Sequence, residues 1–105
     1  MKYLSIGIVL LLTGCQSTPT LCEVEPNALL CDSNSYNVAT VNALTTFESR
    51  AGRKAFALGK TYNGGEFYGF SEGYSSQSKA NTRALDECKK ILAKYDSNTQ
   101  CELIR

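Results

Sequence analysis

Tyr62-Asn63-Gly64-Gly65-Glu66-Phe67-Tyr68-Gly69-Phe70-Ser71-Glu72-Gly73-Tyr74 is the stretch from which the fold can be read. Successive side chains of a strand point to opposite faces. A strand over 66–74 therefore sets Tyr68, Phe70, Glu72 and Tyr74 on one face and Phe67, Gly69, Ser71 and Gly73 on the other. Just upstream, Asn63-Gly64 is the favoured pair for a two-residue hairpin turn, because both positions need positive φ. Residues 54–62 then form the partner strand. The small residues of one face leave room for a helix to lie close against the sheet.

That helix is expected next. Ser75-Ser76-Gln77-Ser78 offers N-capping hydroxyls. From there to about Tyr95, residues Ala80, Ala84, Leu85, Cys88, Ile91, Leu92 and Tyr95 fall on one broad apolar stripe, with Lys79, Arg83, Lys90 and Lys94 almost opposite. Asp96-Ser97-Asn98 stops the helix, and Gln100 to Ile104 suits a short closing strand. Upstream, Val38, Val41, Leu44, Thr45, Glu48 and Ala51 recur at three- and four-residue steps, which predicts a first helix over Val38–Arg50 with Gly52 as its stop. The expected fold is α+β: a small antiparallel sheet, made of the hairpin and the C-terminal strand, packed against one long helix in the order α-β-β-α-β. The domain covers 36–105.

The chain has 105 residues, which holds one domain at most. Its 11 Lys+Arg nearly balance 10 Asp+Glu. That balance argues against nucleic acid as a partner, since proteins that bind by countering phosphate are more basic. There is no histidine, which excludes Ser-His-Asp and Cys-His catalysis, histidine metal sites and an imidazole pH switch. Five cysteines in so short a chain point to disulfides in an oxidising compartment. A local Cys22–Cys31 bridge is the simplest pairing in the N-terminal loop. Cys88 on the buried helix face and Cys101 at the start of the last strand form the other pair, although four cysteines allow three pairings.

The chain opens with Met1-Lys2, a mostly apolar run from Tyr3 to Leu12, and Thr13-Gly14-Cys15. Ten apolar residues are too few to span a bilayer core of ~30 Å at ~1.5 Å per residue. A charged start, a short apolar core and small residues before a cut describe a signal peptide over 1–14. Leu12-Thr13-Gly14-Cys15 resembles the lipobox of bacterial lipoproteins. The resemblance implies cleavage before Cys15, a diacylglycerol on its thiol, an acyl chain on its new amine, and no other cofactor. Gln16, in place of an Asp, implies the outer membrane, with the protein facing the periplasm. Residues 15–35 then form the lipidated cysteine, a tether and a cysteine loop in which Leu21, Leu29 and Leu30 are candidates to dock on the domain.

A second resemblance covers 54–105. Ala55-Phe56-Ala57-Leu58-Gly59, Tyr68-Gly69-Phe70-Ser71, Ser76-Gln77-Ser78-Lys79-Ala80, Arg83-Ala84-Leu85, Cys88 and Cys101 resemble a group of small secreted bacterial domains. These share a hairpin, an Ala-x-x-x-Ala-Leu-x-x-Cys helix and a closing-strand cysteine. The resemblance implies the β-β-α-β order and the Cys88–Cys101 pair, and it brings no activity with it.

Ser76-Gln77-Ser78-Lys79 matches the Ser-x-x-Lys nucleophile motif, but that chemistry needs further motifs and a much larger domain. A helix cap explains Ser76 better. The cysteine spacings do not suit paired zinc ligands, and the scattered carboxylates suggest no acid–base pair. Two candidate binding surfaces remain. One is the aromatic row Tyr68, Phe70 and Tyr74, which suits sugar rings or a peptide unless the first helix and the cysteine loop bury it. In that case Phe70 is expected inside, with Tyr68 and Tyr74 at a partly open edge. The other is the basic row Lys79, Arg83, Lys90 and Lys94, suited to an acidic polymer or anionic headgroups. An acidic N-terminal flap over basic surface is a further possibility, since Glu23, Glu25, Asp32 and Glu48 precede any basic residue after Cys15. The functional expectation is a non-catalytic, lipid-anchored binding or accessory protein of the cell envelope. Its partners would be the membrane, through the anchor, and an envelope protein or cell-wall glycan. The alternative is an inhibitor or immunity lipoprotein that blocks an incoming cell-wall hydrolase.

Overall fold

A computed structural model describes residues 19–95 and 98–105. The expected signal peptide over 1–14, the lipobox-like stretch with Cys15, and the Asp96-Ser97 part of the expected helix stop lie outside the described residues. The described elements are a short helix α1 (Leu21–Val24), 3₁₀ turns at Leu29–Cys31 and Ser33–Ser35, helix α2 (Val38–Glu48), strands β1 (Arg53–Lys60) and β2 (Glu66–Tyr74), helix α3 (Gln77–Tyr95) and strand β3 (Glu102–Leu103). The sheet is antiparallel in the order β2-β1-β3. Both disulfides, Cys22–Cys31 and Cys88–Cys101, are formed as the spacing suggested.

The central strand β1 is covered on both faces, so Ala55, Phe56, Ala57 and Leu58 are all buried. Its Ala55 and Ala57 meet Ala80, Ala84, Cys88 and Leu92 of α3. Its Phe56 and Leu58 meet Tyr36, Ala43, Leu44, Phe47 and Ile104 on the opposite side. The result is three layers: α3, the sheet, and α2 with the cysteine loop. The small-residue face has the purpose expected of it. A Cβ on Gly69 would lie 2.6 Å from the Ala84 carbonyl oxygen, so α3 can sit this close only over glycine. Ser71 Oγ, buried beneath the helix, donates to the Ala80 carbonyl at 2.7 Å.

Four sequence expectations are corrected. The hairpin turn is not a two-residue one. β1 ends at Lys60, the Gly64 N–H donates to the Thr61 carbonyl at 2.9 Å and the Thr61 N–H to Gly65 at 2.8 Å. Gly64 has φ 90°. This is a three-residue loop with a left-handed glycine, tightened by the short Thr61–Asn63 side-chain hydrogen bond.

The alternation of β2 breaks before its end. Ala55 pairs with Ser71 but Arg53 with Tyr74, so β2 carries an extra residue at Glu72-Gly73. Gly73 sits at φ 72°, as a bulge of this kind requires. The bulge turns Tyr74 to the α3 side, where it packs against the Ala80–Cys88 cluster.

The first helix ends at Glu48 and buries a different face from the one expected. Thr40, Ala43, Leu44 and Phe47 point inward, while Val38 is 75% and Val41 42% exposed. Apolar residues lie all round this helix, so its period leaves the phase undecided. Tertiary contacts settle it. Glu66 Oε1 accepts the Asn37 N–H at 2.8 Å at the N-terminal end. Lys54 Nζ donates to the carbonyls of Phe47 at 2.9 Å, Glu48 at 3.2 Å and Arg50 at 2.8 Å at the other end.

In the cysteine loop, Leu30 and Cys22 pack on the α2-side core, but Leu29 is 68% exposed and does not dock. Tyr36 anchors the loop instead, donating from its hydroxyl to the Leu30 carbonyl at 2.6 Å. Burial pushes the Tyr36 hydroxyl pKa up, with Glu66 and Asp32 acting in the same direction and Arg105 opposing.

Candidate functional site

The aromatic row divides between the two faces of the sheet. The Tyr68 ring stacks on Phe56 at 5.5 Å. The Phe70 ring stacks on Phe56 at 5.8 Å and meets Phe47 edge-on at 6.0 Å. Both are half-buried beneath α2 and the cysteine loop, so they form a second core layer. Because β2 is an edge strand, these rings are not fully enclosed. Tyr74 belongs to the other side, packed against the α3-side cluster. Tyr68, Phe70 and Tyr74 therefore do not make one binding face.

Lys79, Arg83, Lys90 and Lys94 are exposed on α3, as the wheel places them. They are not a bare cationic stripe. Glu87 lies among them, 2.8 Å from Arg83 and 3.9 Å from Lys90. Glu87 above all, then Tyr74, pushes the Arg83 guanidinium further up from its ordinary value. The i,i+4 spacing of Arg83 and Glu87 is the sequence signal for this pairing. Ser76 Oγ accepts the Lys79 N–H at 3.3 Å. The Ser-x-x-Lys serine thus caps α3, and no second motif residue approaches it among the hydrogen bonds described.

Among the described residues no group of three His, Cys, Asp or Glu side chains is gathered as for a metal ion. The four described cysteines are all in disulfides. No described helix is long and apolar enough to cross a membrane.

Sequence reasoning missed a cleft of about 640 Å³, within the ~300–1,000 Å³ range of small-ligand sites. It opens between the C-terminal half of α3, the segment leading into β3, and the first described residues of the chain. Leu21, Leu85, Leu92, Ala93 and Leu103 give it an apolar lining, with Lys89 and Glu102 among its polar groups, and Pro19 stands at its wall. Three separate segments build it, so no local pattern announces it. Compared with family models, with curated proteins and with solved structures, the chain matches none.

Proposed function

We propose that this chain is a lipid-anchored, non-catalytic binding or accessory protein of the bacterial cell envelope. The observation that carries the reading is Leu12-Thr13-Gly14-Cys15 directly after a short apolar run. The two disulfides support it, because they belong to an oxidising compartment. They also leave Cys15 as the one cysteine of the five without a partner in those bridges. Two or three acyl chains on one residue hold a protein on a bilayer where a single chain binds only marginally. Gln16 favours the outer membrane, facing the periplasm. The absence of histidine from the chain supports binding over hydrolysis.

The test is Cys15→Ser. The variant should lose its lipid and accumulate as uncleaved precursor. Normal processing and release as a soluble protein would mean an ordinary signal peptide and would end the anchor reading. A pull-down from solubilised envelopes then sorts the binding readings. Subunits of an envelope assembly support the accessory role, glycan alone supports wall binding, and a foreign hydrolase supports the inhibitor alternative.

A further inference from the structure

The cleft beside Pro19 lies where the chain enters the domain from Cys15. Pro19 lies four residue steps after Cys15, and an extended chain covers ~3.3–3.6 Å per residue. Any group carried by Cys15 is therefore attached within about 14 Å of the cleft wall, whatever path the chain takes. The larger part of the lining is apolar: Leu21, close to Pro19, with Leu85, Leu92, Ala93 and Leu103, beside polar groups that include Lys89 and Glu102. A lining that is mostly apolar suits a hydrocarbon chain better than a sugar or a charged peptide. The intervening Gln16, Ser17 and Thr18 are polar and would gain nothing by filling such a cleft themselves.

We infer that the cleft takes one acyl chain of the lipid on Cys15 when the protein is off the membrane. This inference rests on the lipoprotein reading above. Moving hydrocarbon from water into an apolar cleft is favourable for every methylene buried, whereas moving it from a bilayer into the cleft gains little, since both surroundings are apolar. The cleft thus competes with water and yields to a bilayer. It shelters the chain during transit and releases it on insertion.

The experiment places a photoreactive benzophenone amino acid at Ala93 in the full-length chain. Ala93 lines the cleft yet is exposed, so the substitution leaves the core intact. A second variant carries the same group at Lys79, exposed near the start of α3. The matured proteins are transferred to detergent-free buffer and irradiated, and peptides are identified by mass. The expected result is a crosslink within one chain from position 93 to the acyl chains of Cys15, none from position 79, and loss of the crosslink when phosphatidylethanolamine–phosphatidylglycerol vesicles are added. A lipidated Cys15 that never crosslinks to position 93 overturns the inference. So does equal crosslinking from both positions, or a yield that vesicles leave unchanged. A mature chain whose mass carries no lipid on Cys15 instead overturns the anchor reading itself, so the two failures are distinguishable.

Discussion

Lys54 and Glu66 hold opposite ends of one helix from two neighbouring strands. Lys54 on β1 gives its ammonium protons to three carbonyls at the C-terminal end of α2 and lies 4.7 Å over the Phe47 ring. Glu66 on β2 takes the Asn37 N–H just before the helix begins, and Lys60 stands 3.3 Å from its other oxygen. A cation at the C-terminus and an anion at the N-terminus both oppose the helix dipole. The two residues therefore tie down both ends of α2, while Ala43, Leu44 and Phe47 make its buried face.

Lys54→Met keeps the aliphatic stem and removes three charge-assisted bonds, so it should cost about 2 kcal/mol. Glu66→Gln should cost a similar amount, about 1–3 kcal/mol, because the Glu66 side chain is only 1% exposed and its loss of charge leaves Lys60 unpaired. Urea unfolding measures both. Wild-type midpoints for the two variants would show that α2 is held by its apolar face alone.

Gly69→Ala tests how closely α3 rests on the sheet. The added methyl meets backbone of α3 rather than the tip of a flexible side chain, so the helix must shift, at about 1–3 kcal/mol. Gly64→Ala provides the contrast. Its Cβ would meet open space, and its cost comes only from φ 90°, about 1–2 kcal/mol. Near-UV circular dichroism should change for Gly69→Ala and stay native for Gly64→Ala.

The bulge at Glu72-Gly73 predicts how the aromatic residues couple. Phe47 touches Phe70 and lies on the opposite side of the sheet from Tyr74. A double-mutant cycle to leucine should give about 0.5–1.5 kcal/mol between Phe47 and Phe70 and no measurable coupling between Phe47 and Tyr74. Equal coupling in both cycles would put all three rings on one face.

Tyr36 makes stability fall at alkaline pH. Its hydroxyl is raised above its ordinary 10.0 in the folded state. Above about pH 10 the unfolded chain has released this proton while the folded chain keeps it. The unfolded state then binds fewer protons, and stability drops as pH rises toward the folded value. Tyr36→Phe should be less stable at neutral pH, for want of the bond to Leu30. It should also lose less stability than wild type between pH 9 and 11. Parallel pH profiles for the two proteins would contradict this.

Much of this architecture is legible in local sequence, and the rest is decided by contacts between distant residues. Alternation over 66–71, the capping serine before α3 and the small-residue stripe Ala80, Ala84 and Cys88 each carry their own signal. The two disulfides join cysteines near in sequence, so spacing and element order suffice for them. Gly73 reads as one more glycine of an alternating face, and only the Arg53–Tyr74 pairing reveals the bulge. The phase of α2 is met by packing against Phe56, Leu58 and Ile104, which lie in other elements and carry no mark of that role. The cleft needs Pro19, Leu85 and Leu103 together, and only the fold assembles them.

The proposed anchor makes Cys15 the lipid-bearing first residue of the mature protein. Intact-mass and N-terminal peptide analysis of the protein extracted from envelopes tests it most directly. The expected result is a chain that begins at Cys15 and carries a diacylglycerol on sulfur and an acyl chain on nitrogen. A mature chain that begins elsewhere, or one that begins at Cys15 with an unmodified thiol and amine, would contradict it.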